Sequence, residues 1–116
     1  MTGNDDIISW TSLKGMEDTM GVPAARVLAQ KLLGFLVLKV EELEKVYAAK
    51  EPAAIEACLH KLASNAAALG ALKLSQHARA LEAECRNGQW DSVMAQRQVI
   101  TALARASLAA LQEKLG

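Results

Sequence analysis

Four backbone-breaking residues cut one long helix-forming pattern into pieces, and this punctuation restricts the fold more than any other feature of the chain. Pro23, Pro52, Gly70 and Gly88 stand where the helical period of apolar residues is interrupted. Proline suits the first turn of a helix, where its missing N–H is no loss, and glycine suits the position just past the end. Between these points the apolar residues are chiefly Ala and Leu, which are strong helix formers, while aromatics make up only 3%. No stretch alternates apolar and polar residues as a half-buried strand would. The pattern predicts an all-α chain with helices over about 23–49, 52–69, 72–87 and 91–115. Four such helices joined by short turns form an antiparallel up-down four-helix bundle most economically. The 116 residues fit a single domain, with the bundle over about 22–115 and a flexible leader at 1–4.

Ahead of Pro23, Asp5 or Asp6 can cap a short extra N-terminal helix carrying Ile7, Ile8, Trp10 and Leu13. Gly15 would end it, leaving 16–21 as a loop. The 23–49 helix shows a stripe of Leu28, Leu32, Phe35, Leu36, Val40, Leu43 and Tyr47 at near-helical spacing. Leu33 and Val37 fall off that stripe and form a second apolar surface, which the short first helix can cover. The 72–87 helix turns Leu74, Ala78, Leu81 and Cys85 inward, and the last helix carries Val93, Ile100, Leu103, Ser107, Leu111 and Leu115.

Charge and composition narrow the function classes. Lys and Arg balance Asp and Glu, 13 against 13, which argues against a general nucleic-acid binder with its basic excess. The longest apolar run, 32–38, is too short to span a bilayer, so no membrane partner is expected. The N-terminus lacks a signal-peptide pattern, and Cys58 and Cys85 read as reduced thiols packed in the core, so a cytoplasmic protein is expected. The chain has no Walker sequence, nucleophile elbow or dinucleotide fingerprint.

The informative residue is His60. On the 52–69 helix, Ile55, Leu59, Leu62, Ala66 and Leu69 follow a 4-3-4-3 pattern and form the core-facing stripe. At the helical angle per residue, His60 points roughly 140° away from the centre of that stripe, toward solvent. Its neighbours on the outer face are Ala53, Glu56, Ala57, Ala63, Ser64 and Ala67. A lone histidine on a helix is more often a bland surface residue than a site. A collar of small side chains shifts that balance, because it makes a flat, partly apolar surface that another protein can approach closely. A metal site is not expected: Cys58 and His60 point about 200° apart on their helix, and His77 and Cys85 are more than two turns apart.

With these residues in place, the chain resembles the histidine-containing phosphotransfer (HPt) domains of two-component phosphorelays. The family motif is a His, a Leu two residues on, a Lys three on, a Gly four on, and Gly-Ala at ten and eleven. His60, Leu62, Gly70 and Ala71 match it. Leu81-Glu82 and Arg86-Asn87-Gly88 match the later Leu-Glu and Arg-x-Gly pattern, and the alanine-rich lead from Ala48 to Leu59 is similar too. The resemblance covers nearly the whole chain and implies a four-helix bundle that accepts a phosphoryl group on His60.

Two positions depart from the motif: Ala63 stands where the family has Lys, and Ser64 where it has Gly. The resemblance makes Lys61 and Lys73 the nearby cations, Ser64 a possible hydroxyl donor to a phosphoryl oxygen, and Glu82 the group that orients the imidazole. A neutral imidazole is a competent nucleophile near neutral pH. The implied partners are the receiver domains of a hybrid histidine kinase and of a response regulator. The receiver would supply the Mg²⁺, and the chain itself, a monomer, would need no cofactor. It would be a phosphocarrier rather than a true enzyme. Ala63 and Ser64 motivate an alternative, a degenerate HPt-like protein that binds a receiver or kinase without phosphotransfer. Leu33 and Val37 motivate a third reading, a helical scaffold or dimerisation module.

Overall fold

The computed structural model describes residues 7–115; the expected leader at 1–4 and the Asp5 or Asp6 cap lie outside the described residues. Every regular element among the described residues is an α-helix: α1 (Thr11–Met20), α2 (Val22–Ala49), α3 (Pro52–Ala68), α4 (Leu72–Arg86), α5 (Trp90–Ala95) and α6 (Arg97–Leu115). Pro23 and Pro52 both lie in the first turns of their helices, where their fixed φ is pre-set for helix.

Three expectations are corrected. First, α1 runs straight through Gly15 and stops at Gly21, whose φ is +86°. One interior glycine costs a helix only about 1 kcal/mol, so 16–20 is helix rather than loop. Second, the buried arc of α2 is Ala25, Ala29, Leu33, Leu36, Val40, Leu43 and Tyr47. Leu28 and Leu32 are only half-buried, and Phe35 is 50% exposed. A stripe drawn through the large residues overlooks Ala25 and Ala29; including them rotates the arc to take in Leu33 and exclude Phe35. Third, the last helix is two. The chain tightens at Gln96, whose N–H reaches both Ser92 O and Val93 O. The buried Tyr47 hydroxyl also donates to the Val93 carbonyl, at 3.1 Å, which helps satisfy it where the ladder is interrupted.

The packing places α3 between α4, its most extensive neighbour, and α2. Three cross-contacts define the α3–α4 pair as antiparallel. Ser75 Oγ donates to Ala63 O at 2.8 Å, His60 meets Glu82, and Glu56 meets Arg86. The helices α2 and α6 also run antiparallel, joined by Gln30 Nε2 to Leu115 O at 2.9 Å and by Arg105 to Glu44. At the α3–α4 turn, Gly70 takes φ +82°, and its carbonyl accepts the Ser9 N–H at 2.7 Å. This bond ties the segment before α1 across the turn and seats Ile8 in the core, 1% exposed.

Candidate functional site

The helix α3 owes its orientation to its apolar residues. Ile55, Leu59, Leu62 and Ala66 are buried, as is Leu69 just beyond the helix. Burying such side chains is the main driving force for docking a helix. This leaves His60 pointing outward, with its side chain 59% exposed.

The imidazole is not free to turn. Its Nδ1 lies 2.9 Å from Glu82 Oε2 on α4. Glu82 is a buried carboxylate, its side chain only 6% exposed. A carboxylate is an acceptor, so Nδ1 carries the hydrogen. No protein group bonds Nε2 among the described residues. The same Glu82 oxygen receives Arg86 Nη2 at 2.5 Å, and Arg86 Nε lies 3.4 Å from Glu56 Oε2. Glu56 and His60 are one turn apart on α3, as are Glu82 and Arg86 on α4. The four side chains therefore form a ladder across the helix pair.

The other residues expected at the site divide sharply. Ala53 and Ala57 are exposed, Glu56 and Ala67 half-buried, and all four lie on the His60 side of α3. Ser64 is exposed, and its hydroxyl donates back to the His60 carbonyl at 3.4 Å. Lys61 borders the shallow depressions on both sides of His60. Two expectations fail. Ala63 is fully buried, 0% exposed, and belongs to the contact with α4, beside Ser75. Both α4 and α2 cover α3, so its buried arc is wider than a single stripe and also takes in Cys58. Lys73 is also removed from the site. It lies nine residues before Glu82 on α4, about 13 Å along the axis at the helical rise.

Two features were missed in the sequence. Arg86, placed in the sequence only within the Arg-x-Gly pattern, is the cation that meets Glu82; the signal for that role was the four-residue spacing of Glu82 and Arg86, which places them on one helix face. Phe35 and Leu38 of α2, 50% and 60% exposed, line the depression that also holds Lys39, His60, Lys61 and Ser64. Lys39 is held by Glu42 at 3.2 Å. The α2 side of His60 is thus apolar and open, and the α4 side is occupied by the charged ladder.

Cys58 and Cys85 are free, buried thiols. Burial pushes Cys58 up to about 12 and Cys85 to about 11, so neither is an activated nucleophile. No group of three or more His, Cys, Asp or Glu is placed to hold a metal among the described residues, and no described helix is long and apolar enough to cross a membrane. Comparison with family models, with curated proteins and with solved structures finds no match for this chain.

Proposed function

We propose that the chain is a phosphotransfer intermediate of the HPt type, an antiparallel up-down four-helix bundle that carries a phosphoryl group on His60. One observation carries the reading: an exposed imidazole whose Nδ1 is committed to a buried carboxylate, so that the lone pair on Nε2 faces outward. In the step proposed, Nε2 attacks the phosphorus of a receiver domain's aspartyl phosphate. The N–P bond forms, the P–O bond to the aspartyl carboxylate breaks, and the carboxylate leaves with the electron pair. Passage to a response regulator is the reverse step on another receiver. Such transfers depend on positioning and charge stabilisation. The receiver supplies Mg²⁺, while this chain supplies an oriented nucleophile and a docking face. Ala53, Ala57 and Ser64 keep that face low, and Phe35 and Leu38 give it apolar area on the α2 side. Of the two residues that motivate the scaffold reading, Leu33 is buried and Val37 packs half-buried on the core.

A second reading keeps the docking face without the chemistry, and Ala63 in place of the family's lysine favours it. One experiment separates them. The chain is incubated with a phosphorylated receiver domain and Mg²⁺ and assayed for acid-labile, alkali-stable phosphate. Phosphate on the natural chain but not on His60→Gln supports transfer. Receiver binding with no phosphate on either supports the degenerate reading.

A further inference from the structure

We infer that Arg86 is a positioning residue that decides which nitrogen of His60 reacts, acting through Glu82. The consequence for phosphoryl transfer rests on the reading above; the geometry does not. Glu82 Oε2 is shared by His60 Nδ1 at 2.9 Å and Arg86 Nη2 at 2.5 Å. Arg86 is in turn anchored on α3 by Glu56 at 3.4 Å.

The physical need for the guanidinium follows from burial. A carboxylate as enclosed as Glu82, with a neutral imidazole as its only partner, is an inadequately compensated charge. Without Arg86 it relieves that cost by rotating out to water or by drawing a proton. Rotation removes the acceptor that holds hydrogen on Nδ1, and protonation weakens it and adds an O–H that can itself donate to Nδ1. An unrestrained imidazole prefers the tautomer with hydrogen on Nε2, which leaves no lone pair on the outward nitrogen. The guanidinium therefore holds the Glu82 carboxylate in place, and Glu82 keeps Nε2 nucleophilic. Second-sphere partners of this kind fix histidine tautomers elsewhere. The other charged groups beside His60 are Lys61 on α3 and Lys39 on α2, the latter held by Glu42. Neither contacts Glu82, so neither replaces Arg86.

The test uses ¹⁵N-labelled full-length protein, with the His60 ring tautomer read from imidazole ¹⁵N shifts at alkaline pH, where the ring is neutral. Phosphorylation is measured separately with potassium phosphoramidate as the donor. With that donor, Nε2 forms the N–P bond, the donor's P–N bond breaks, and ammonia leaves with the electron pair while Nδ1 keeps its hydrogen. The natural chain is expected to show hydrogen on Nδ1. Arg86→Met is expected to move hydrogen toward Nε2 and to slow phosphorylation several-fold, and Arg86→Lys to restore part of both. In a Glu82→Gln background the amide oxygen still accepts from Nδ1 and carries no charge to compensate, so Arg86→Met is expected to change nothing further. An unchanged tautomer in Arg86→Met overturns the inference, and so does an equal slowing in the Glu82→Gln background. If a phosphorylated receiver never transfers to the natural chain, the phosphocarrier reading falls, while the tautomer measurement still decides the role of Arg86.

Discussion

Replacing Gly70 with alanine separates a structural glycine from two tolerant ones in the same chain. Gly70 lies at φ +82°, and a Cβ there would collide with the Ser9 carbonyl oxygen. The left-handed conformation costs an L-residue roughly 1–2 kcal/mol. Displacing Ser9 also breaks its N–H bond to the Gly70 carbonyl, worth about 1 kcal/mol net. The sum, about 2–3 kcal/mol, is a large share of the 5–15 kcal/mol typical of a domain, as an order of magnitude. Gly15 and Gly34 are internal to helices, and a Cβ on either meets nothing within 4 Å. Their alanine variants should each gain about 0.5–1 kcal/mol. Urea unfolding followed by circular dichroism measures all three. The expected result is a clear fall in midpoint for Gly70→Ala and small rises for the other two. A Gly70→Ala midpoint equal to or above that of the natural chain would refute the strained-turn argument. The glycine ten residues after the histidine, part of the HPt resemblance, would then need an explanation other than this turn.

Three further outcomes follow from burial. Leu59→Ala and Leu62→Ala should each cost roughly 2–5 kcal/mol, as truncations of buried leucine do, whereas His60→Ala, which removes an exposed ring and its one bond to Glu82, should cost only about 1 kcal/mol; equal losses in chemical denaturation would contradict the orientation of α3. Burial pushes Cys58 and Tyr47 up to about 12 and Cys85 to about 11, so the folded state holds these protons more tightly than the unfolded state. Their contribution is therefore complete below pH about 9 and is lost as pH rises toward 12; native thiols should resist iodoacetamide at pH 8 until denaturant is added, and rapid native labelling would count against the packing. Ala63→Lys, at a fully buried site, should destabilise the fold by about 1–3 kcal/mol through overpacking alone; an unchanged thermal midpoint would show that the site opens to solvent.

The breakers and the apolar period made the all-helical class and most helix limits legible, because both act locally. Pro23 and Pro52 need only their own helix to explain them. The errors arose where a second element decides. Gly15 looks like a stop in isolation, but α1 continues because its neighbours keep their helical bonds and Leu13 is buried. Phe35 looks like core until Ala25 and Ala29 are counted, and small residues announce themselves weakly in any pattern of large ones. The division at Gln96 involves a carbonyl that takes the hydroxyl of Tyr47, 46 residues earlier in the chain, and no local pattern reports such a contact.

The site shows the same limit in sharper form. The exposure of His60 follows from spacing within one helix, and its pairing with Glu82 follows the family resemblance. The resemblance also places Arg86, in its Arg-x-Gly pattern, but neither it nor the spacing on α3 pairs that cation with Glu82. A lysine three residues after the histidine is the family's solution, but in this chain that position faces α4, where Ser75 bonds the Ala63 carbonyl and leaves no open surface for an ammonium. Positive charge instead comes from α4 itself, through Arg86, one turn beyond Glu82. A cation on the carboxylate's helix acts first on a different group from one on the histidine's helix. On α3 it would face an incoming phosphoryl group. On α4 it meets Glu82, and through Glu82 it reaches the nitrogen opposite the one proposed to react. Ala63 and Arg86 are therefore best understood together: the buried alanine lets α3 and α4 pack closely, and that closeness sets Glu82 within 2.9 Å of His60.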